Sequence, residues 1–173
     1  MERRLLLIAT SSVILCACGA LGQPMSSGEF RETVKGSSFS TVETVDTSRS
    51  YEQVVESLRN RANECLAVVT TSSGPVFQGN TMVTEHSRAA YKPTLSTNSQ
   101  GLELAVQVDF GAHTMVQKVP PGGMYILVAE ASPSGAGTKL TIYRGKVGRA
   151  KEIGSAIRQW VTGESSACPE LKG

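Results

Sequence analysis

No stretch of this chain carries a concentrated charge of one sign. Its 17 Lys and Arg stand against 15 Asp and Glu, and nowhere do they form the basic patch that a nucleic-acid interface requires. A polybasic run for anionic lipid is missing as well. Metal ligands are scarce: the two histidines, His86 and His113, stand far in sequence from Cys65 and Cys168, so neither a metal nor a cofactor is expected. The Gly-x-Ser-x-Gly elbow of a serine hydrolase is absent. No apolar run reaches the about 20 residues that a transmembrane helix needs.

What is present begins at the N-terminus. Glu2, Arg3 and Arg4 precede a run from Leu5 to Ala17 dominated by Leu, Ile, Val, Ala and Cys, the layout of a secretory signal. The run ends in Leu15-Cys16-Ala17-Cys18 and then Gly19. This resembles the lipobox of bacterial lipoproteins, which places a small residue before the modified cysteine and an aliphatic one three residues upstream. The resemblance implies a signal peptide at residues 1–17 and lipidation at Cys18, because Ala17 and Leu15 fit and Cys16 is preceded by the bulky Leu15. It further implies a diacylglyceryl thioether and an acylated α-amine; at about 0.8 kcal/mol per buried methylene, two or three chains anchor stably. Gly19 rather than Asp after the cysteine resembles the outer-membrane class, expected to face the periplasm. A plain secretory signal cut after Ala17 or Ala20 is the competing reading.

In an exported chain two remaining thiols favour a disulfide, so Cys65 and Cys168 are expected to pair. Residues 18–38, with Gly22, Pro24, Gly28, Gly36 and several serines, read as a lipidated cysteine and flexible tether, with Phe30 and Val34 as candidates for docking. Residues 39–163 read as one α+β domain and 164–173 as a tail tied by the disulfide.

Within that domain, Phe39 to Asp46 predicts a first strand. Val54, Leu58, Ala62, Cys65 and Leu66 then recur at helical spacing, with Ser50 and Gln53 as a capping box and Ser48 as an alternative cap. Strands are predicted at 67–71, at 81–91 running to Pro93, at 102–109, at 124–131 and at 138–144. Turn sets at 98–101, 120–123 and 133–137 separate them and favour hairpins. A second helix is predicted over 147–162 with Ile153, Ile157, Trp160 and Val161 on one face and Gly163 as its C-cap. The expectation is an antiparallel sheet of five to six strands with two helices packed on one face. This order resembles that of helix-grip domains, as in START-like lipid carriers and in the small domains of a barrel-assembly lipoprotein.

Candidate chemistry is thin. His86 reads as a solvated strand residue and His113 as part of a turn. Glu103 and Asp109 share the polar side of one strand but stand about 20 Å apart by strand rise, too far for an acid–base pair, and are expected as exposed charges. Pro120-Pro121-Gly122-Gly123 and Gly135-Ala136-Gly137 precede apolar strands, not a helix, and read as tight turns rather than phosphate loops. The expected function is a non-enzymatic cell-envelope lipoprotein, held to the membrane by its lipid and acting as a structural module or on other envelope proteins. The alternative is a carrier or sensor of an apolar small molecule held between the last helix and the sheet.

Overall fold

A computed structural model of the protein describes residues 23–111, 119–146 and 148–171. It is an α+β fold in which a six-stranded antiparallel sheet carries helices on both faces. The elements in chain order are α1 (Ser27–Lys35), β1 (Ser40–Thr47), α2 (Tyr51–Leu66), β2 (Val69–Gln78), β3 (Thr81–Asn98), β4 (Gly101–Asp109), β5 (Met124–Ser134), β6 (Gly137–Gly145) and α3 (Arg149–Thr162). Strand order across the sheet is β1-β6-β5-β4-β3-β2, so β2 to β6 form a meander and β1 closes against the last strand.

The period-two pattern of β4 divides the sheet into two faces. Leu102, Leu104, Val106 and Val108 point to the inner face, where Ala129, Ala131, Leu140 and Ile142 join them. The stripes of α2 (Val54, Leu58, Ala62, Cys65, Leu66) and α3 (Ile153, Ile157, Trp160, Val161) close over these residues and make the main core. Helix α2 starts where its capping box sits: Ser50 Oγ accepts from the Gln53 amide, and Gln53 Oε1 accepts from the Ser50 amide. Helix α3 ends at Gly163, whose left-handed conformation lets its amide donate to Gln159 O. At Gly154, inside α3, a Cβ would lie 2.6 Å from Cδ of Arg144, so a larger residue there requires the Arg144 side chain to move.

Three expectations are corrected. The stretch read as a flexible tether contains α1, capped by Ser26 Oγ accepting from the Glu29 amide, and its Phe30 and Val34 are buried on the outer face against Ala105, Val128 and Tyr143. Short apolar spacing, two residues four apart, is enough here because the sheet supplies the rest of the apolar surface. The second strand continues well past Thr71, since β2 runs to Gln78 and pairs throughout with β3 around the Gly79-Asn80 turn. Finally, β3 does not stop at Pro93. The pair Asn98↔Gly101 closes a two-residue turn, so even-numbered residues of β3 bond to β4 and the missing amide of Pro93 faces the other side. There β2 has already ended at Val69, and nothing in the ladder is lost.

Candidate binding surface

The half of β3 that precedes Ala90 pairs with β2, while pairing with β4 begins at Ala90. The β2–β3 hairpin therefore projects from the end of the sheet at which β4 finishes and β5 and α3 begin. At its base, between the inner face of the hairpin and the first turn of α3, lies a cavity of about 460 Å³ open on one side. Thr70, Ser72 and Ser87 line the hairpin wall; Tyr91, Val108 and Ile126 line the floor; Phe110, Arg149 and Ala150 line the rim. The Ser72 and Ser87 hydroxyls bond to each other at 2.6 Å, which leaves that wall less polar than its composition suggests. Tyr91 is buried, and burial pushes its phenol above the usual value while the Arg149 guanidinium partly opposes the shift. Arg149 in turn donates to Glu152 and to the carbonyl of Glu170, fixing the tail beside the rim.

Below the cavity the fold is closed. Leu58, Leu66, Leu104, Leu127, Leu140, Ile142, Ile153 and Ile157 are all fully buried between helices and sheet. Cys65 and Cys168 are joined by a disulfide with Cα atoms 5.1 Å apart, tying the end of α2 to the tail. Trp160 Nε1 donates to Ala167 O at 2.9 Å and holds the same tail against α3.

The residues singled out in the sequence do not converge. His86 is exposed on the free hairpin opposite Ser73, and neither is screened from water. His113 and Cys18 lie outside the described residues. Asp109 is half-buried at one end of β4, where Lys92 donates to it at 2.9 Å and, with the Gly111 amide, holds its carboxyl below the usual range. Glu103, at the other end, is not the exposed charge expected of it: it is buried beneath α1, directly across from Glu130, and Arg31 bridges the two carboxylates. The prolines and glycines at 120–123 form a turn clamped from the sheet. Gln107 Nε2 donates to Pro121 O and Gly123 O, Gly123 donates to Pro120 O, and a Cβ at Gly123 would stand 2.3 Å from Val108 O. The 135–137 stretch is the hairpin turn between β5 and β6. Among the described residues no group of three His, Cys, Asp or Glu is placed to hold a metal ion.

Sequence reasoning missed Arg31, Tyr91 and Arg149. A signal for the first existed: Ser26-x-x-Glu29 is a capping-box spacing, followed at once by the Phe30–Val34 pair. Tyr91 and Arg149 carry no local signal, because one stands on β3 and the other at the start of α3, and they meet only once the sheet between them is assembled.

No family model matches the chain, and no curated protein does. Among solved structures it is similar to the crystal structure of Ara h 8.0201, at 6% identity and a TM-score of 0.34, over 72% of this chain and 95% of that one.

Proposed function

We propose that this protein is a lipid-anchored binding module of the bacterial outer membrane, that its domain faces the periplasm, and that it recognises another envelope component without catalysing a reaction. The succession strand, helix, five antiparallel strands, helix supports a helix-grip reading of the domain. The leader residues Leu15, Ala17 and Cys18 support the anchor.

The observation that carries the binding role is the cavity at the base of the hairpin. It is closed beneath by packed side chains and open on one side, and it combines apolar walls with two arginines, Arg88 from the hairpin and Arg149 at the rim. A ligand that must be hidden from water needs most of its surface enclosed. A one-sided opening suits an apolar side chain presented by a partner, with Arg149 meeting a polar or acidic neighbour on that partner. Ser72 is part-exposed on the hairpin, so Ser72→Trp should fill the cavity and leave the core intact. Affinity purification of the lipidated protein from envelopes, with mass spectrometry of what is retained, should show a specific protein that Ser72→Trp loses. Equal retention by both forms would refute the role of the cavity.

The carrier reading is favoured by the cavity's size alone, which lies within the range of small-molecule sites. Native mass spectrometry of the protein taken directly from envelopes should detect a bound small molecule if that reading holds.

A further inference from the structure

The tip of the β2–β3 hairpin belongs to neither the core nor the cavity. From Val69 to Thr84 the chain holds no charged residue and no histidine. Around the Gly79-Asn80 turn, Phe77 pairs with Met82 on one face and Val76 with Val83 on the other. Phe77 is 76% exposed and Met82 65%, among the most exposed large apolar residues in the fold. A protein partner commonly covers one face of a hairpin; here both faces of the tip are apolar, and the first charge, Glu85, stands opposite Gly74 about halfway down, with Arg88 nearer the base.

We infer that this tip rests in the interfacial layer of the bilayer, as a second contact beside the lipid. The inference relies on the anchored reading for its geometry. Between Cys18 and the cap of α1 at Ser26 run about eight residues, which span at most about 28 Å when extended. The hairpin projects about nine residues beyond the start of the β3–β4 pairing, or about 30 Å by strand rise. Helix α1 lies across the outer face, with Phe30 on Tyr125 toward the hairpin end of the sheet and Arg31 on Glu103 and Glu130 toward the other. A tether of that length lets the domain tilt until the lipid and the hairpin tip meet one surface. Insertion is shallow, because the free edge of β2 carries backbone groups that hydrocarbon does not satisfy. Phe and Met side chains at the headgroup boundary need no deeper position.

The test uses the full lipidated chain in vesicles of phosphatidylethanolamine with a minor share of phosphatidylglycerol, some of it brominated on the acyl chains. Trp160, the single natural tryptophan, is buried in the core, and its emission serves as the unquenched background. The indole added by Phe77→Trp should emit at shorter wavelength on vesicles and be quenched by the bromines; that added by Gln100→Trp, at the far end of the sheet, should not. Phe77→Asp with Met82→Asp should leave the unfolding midpoint unchanged and, in the chain lacking Cys18, abolish residual vesicle binding. If mass spectrometry shows the acyl chains in place and the indole at position 77 stays unquenched, the contact is refuted while the anchor stands. If the chain carries no acyl group yet the indole is quenched, the anchor fails and the contact stands. Cross-linking of position 77 to a protein in intact envelopes, without quenching on vesicles, would overturn the lipid assignment in favour of a protein partner.

Discussion

Along β4, the residues facing inward are Leu102, Leu104, Val106 and Val108, and those facing outward are Glu103, Ala105, Gln107 and Asp109. Both sets lie on one strand, and helices pack on both faces of the sheet, yet the covers are held differently. Inside, two helices of 16 and 14 residues share a continuous apolar cluster with four strands, and removing any one member leaves a void. Outside, a helix of nine residues contributes only Phe30 and Val34, and Arg31 does the rest. Glu103 and Glu130 face each other across the ladder, an arrangement that costs stability by itself. A single guanidinium placed over both offsets that cost and fixes where the helix sits. One side of the sheet is thus closed by volume and the other fastened by charge. The first resists opening as a unit; the second can open locally without disturbing it.

The largest expected effect tests whether the inner side acts as a unit. The Cys65–Cys168 bond closes a loop of 103 residues, for which the chain-entropy account gives on the order of 4–5 kcal/mol. Reduction should lower the urea midpoint accordingly, while hydrogen exchange in residues 27–35 under native conditions stays as it was. Faster exchange in α1 on reduction would mean that the two sides are coupled. Next, Leu58→Ala should cost about 2–5 kcal/mol, because Leu58 is fully buried between α2 and the sheet. A loss near zero in equilibrium unfolding would contradict the packing of α2.

On the outer side, Arg31→Met should cost about 1–3 kcal/mol, since it leaves two neighbouring carboxylates without their cation in a half-buried site. Its signature is local: proteolysis within residues 27–38 should rise more than the global midpoint falls. Adding Glu130→Gln should restore much of the protection; failure to do so would assign the docking to Phe30 and Val34 alone.

The smallest effect lies in alkaline solution. Burial raises the Tyr143 phenol beneath α1, the Glu130 carboxylate adds to the rise, and Lys35 and Arg31 oppose it. The folded state therefore holds that proton more tightly than the unfolded chain. The stabilisation is complete below the unfolded phenol value of about 10 and is lost as pH rises through the folded value above it. Thermal unfolding followed between about pH 9 and 11 should show the decline, and Tyr143→Phe should flatten it. Tyr91, raised mainly by burial on the inner side, gives the matching measurement there, and Tyr91→Phe should flatten the same curve.

Much of the inner side could be read from the chain. The helical spacing of Val54, Leu58 and Ala62, the alternation of β4 and the apolar run of β5 are each local patterns that the fold uses as written. The outer side and the hairpin were not legible, for two reasons. Residues 27–35 hold only two core-facing apolar side chains, so their helix is stable only once the sheet exists to receive it. Residues 72–78 include Gly74 and Pro75, which lower strand propensity, and they become a strand because β3 offers a complete ladder. Of the candidate surface, the turns and the cysteine positions were visible, but the cavity was not. It exists only where a projecting hairpin meets the start of a helix from the other end of the chain.

Pro75 has a further consequence, for encounters between molecules. The pair Gln78↔Thr81 closes the tip, so the even-numbered residues of β2 bond to β3 and the odd-numbered ones present their amides and carbonyls to solvent. Pro75 is odd-numbered, midway along the exposed rim, and supplies a carbonyl but no amide. A foreign strand laid along β2 finds its register broken at that point and its partner missing. The hairpin is long, uncharged and apolar at its tip, features that elsewhere seed fibrils. One imino acid makes this rim a poor template for edge-to-edge pairing.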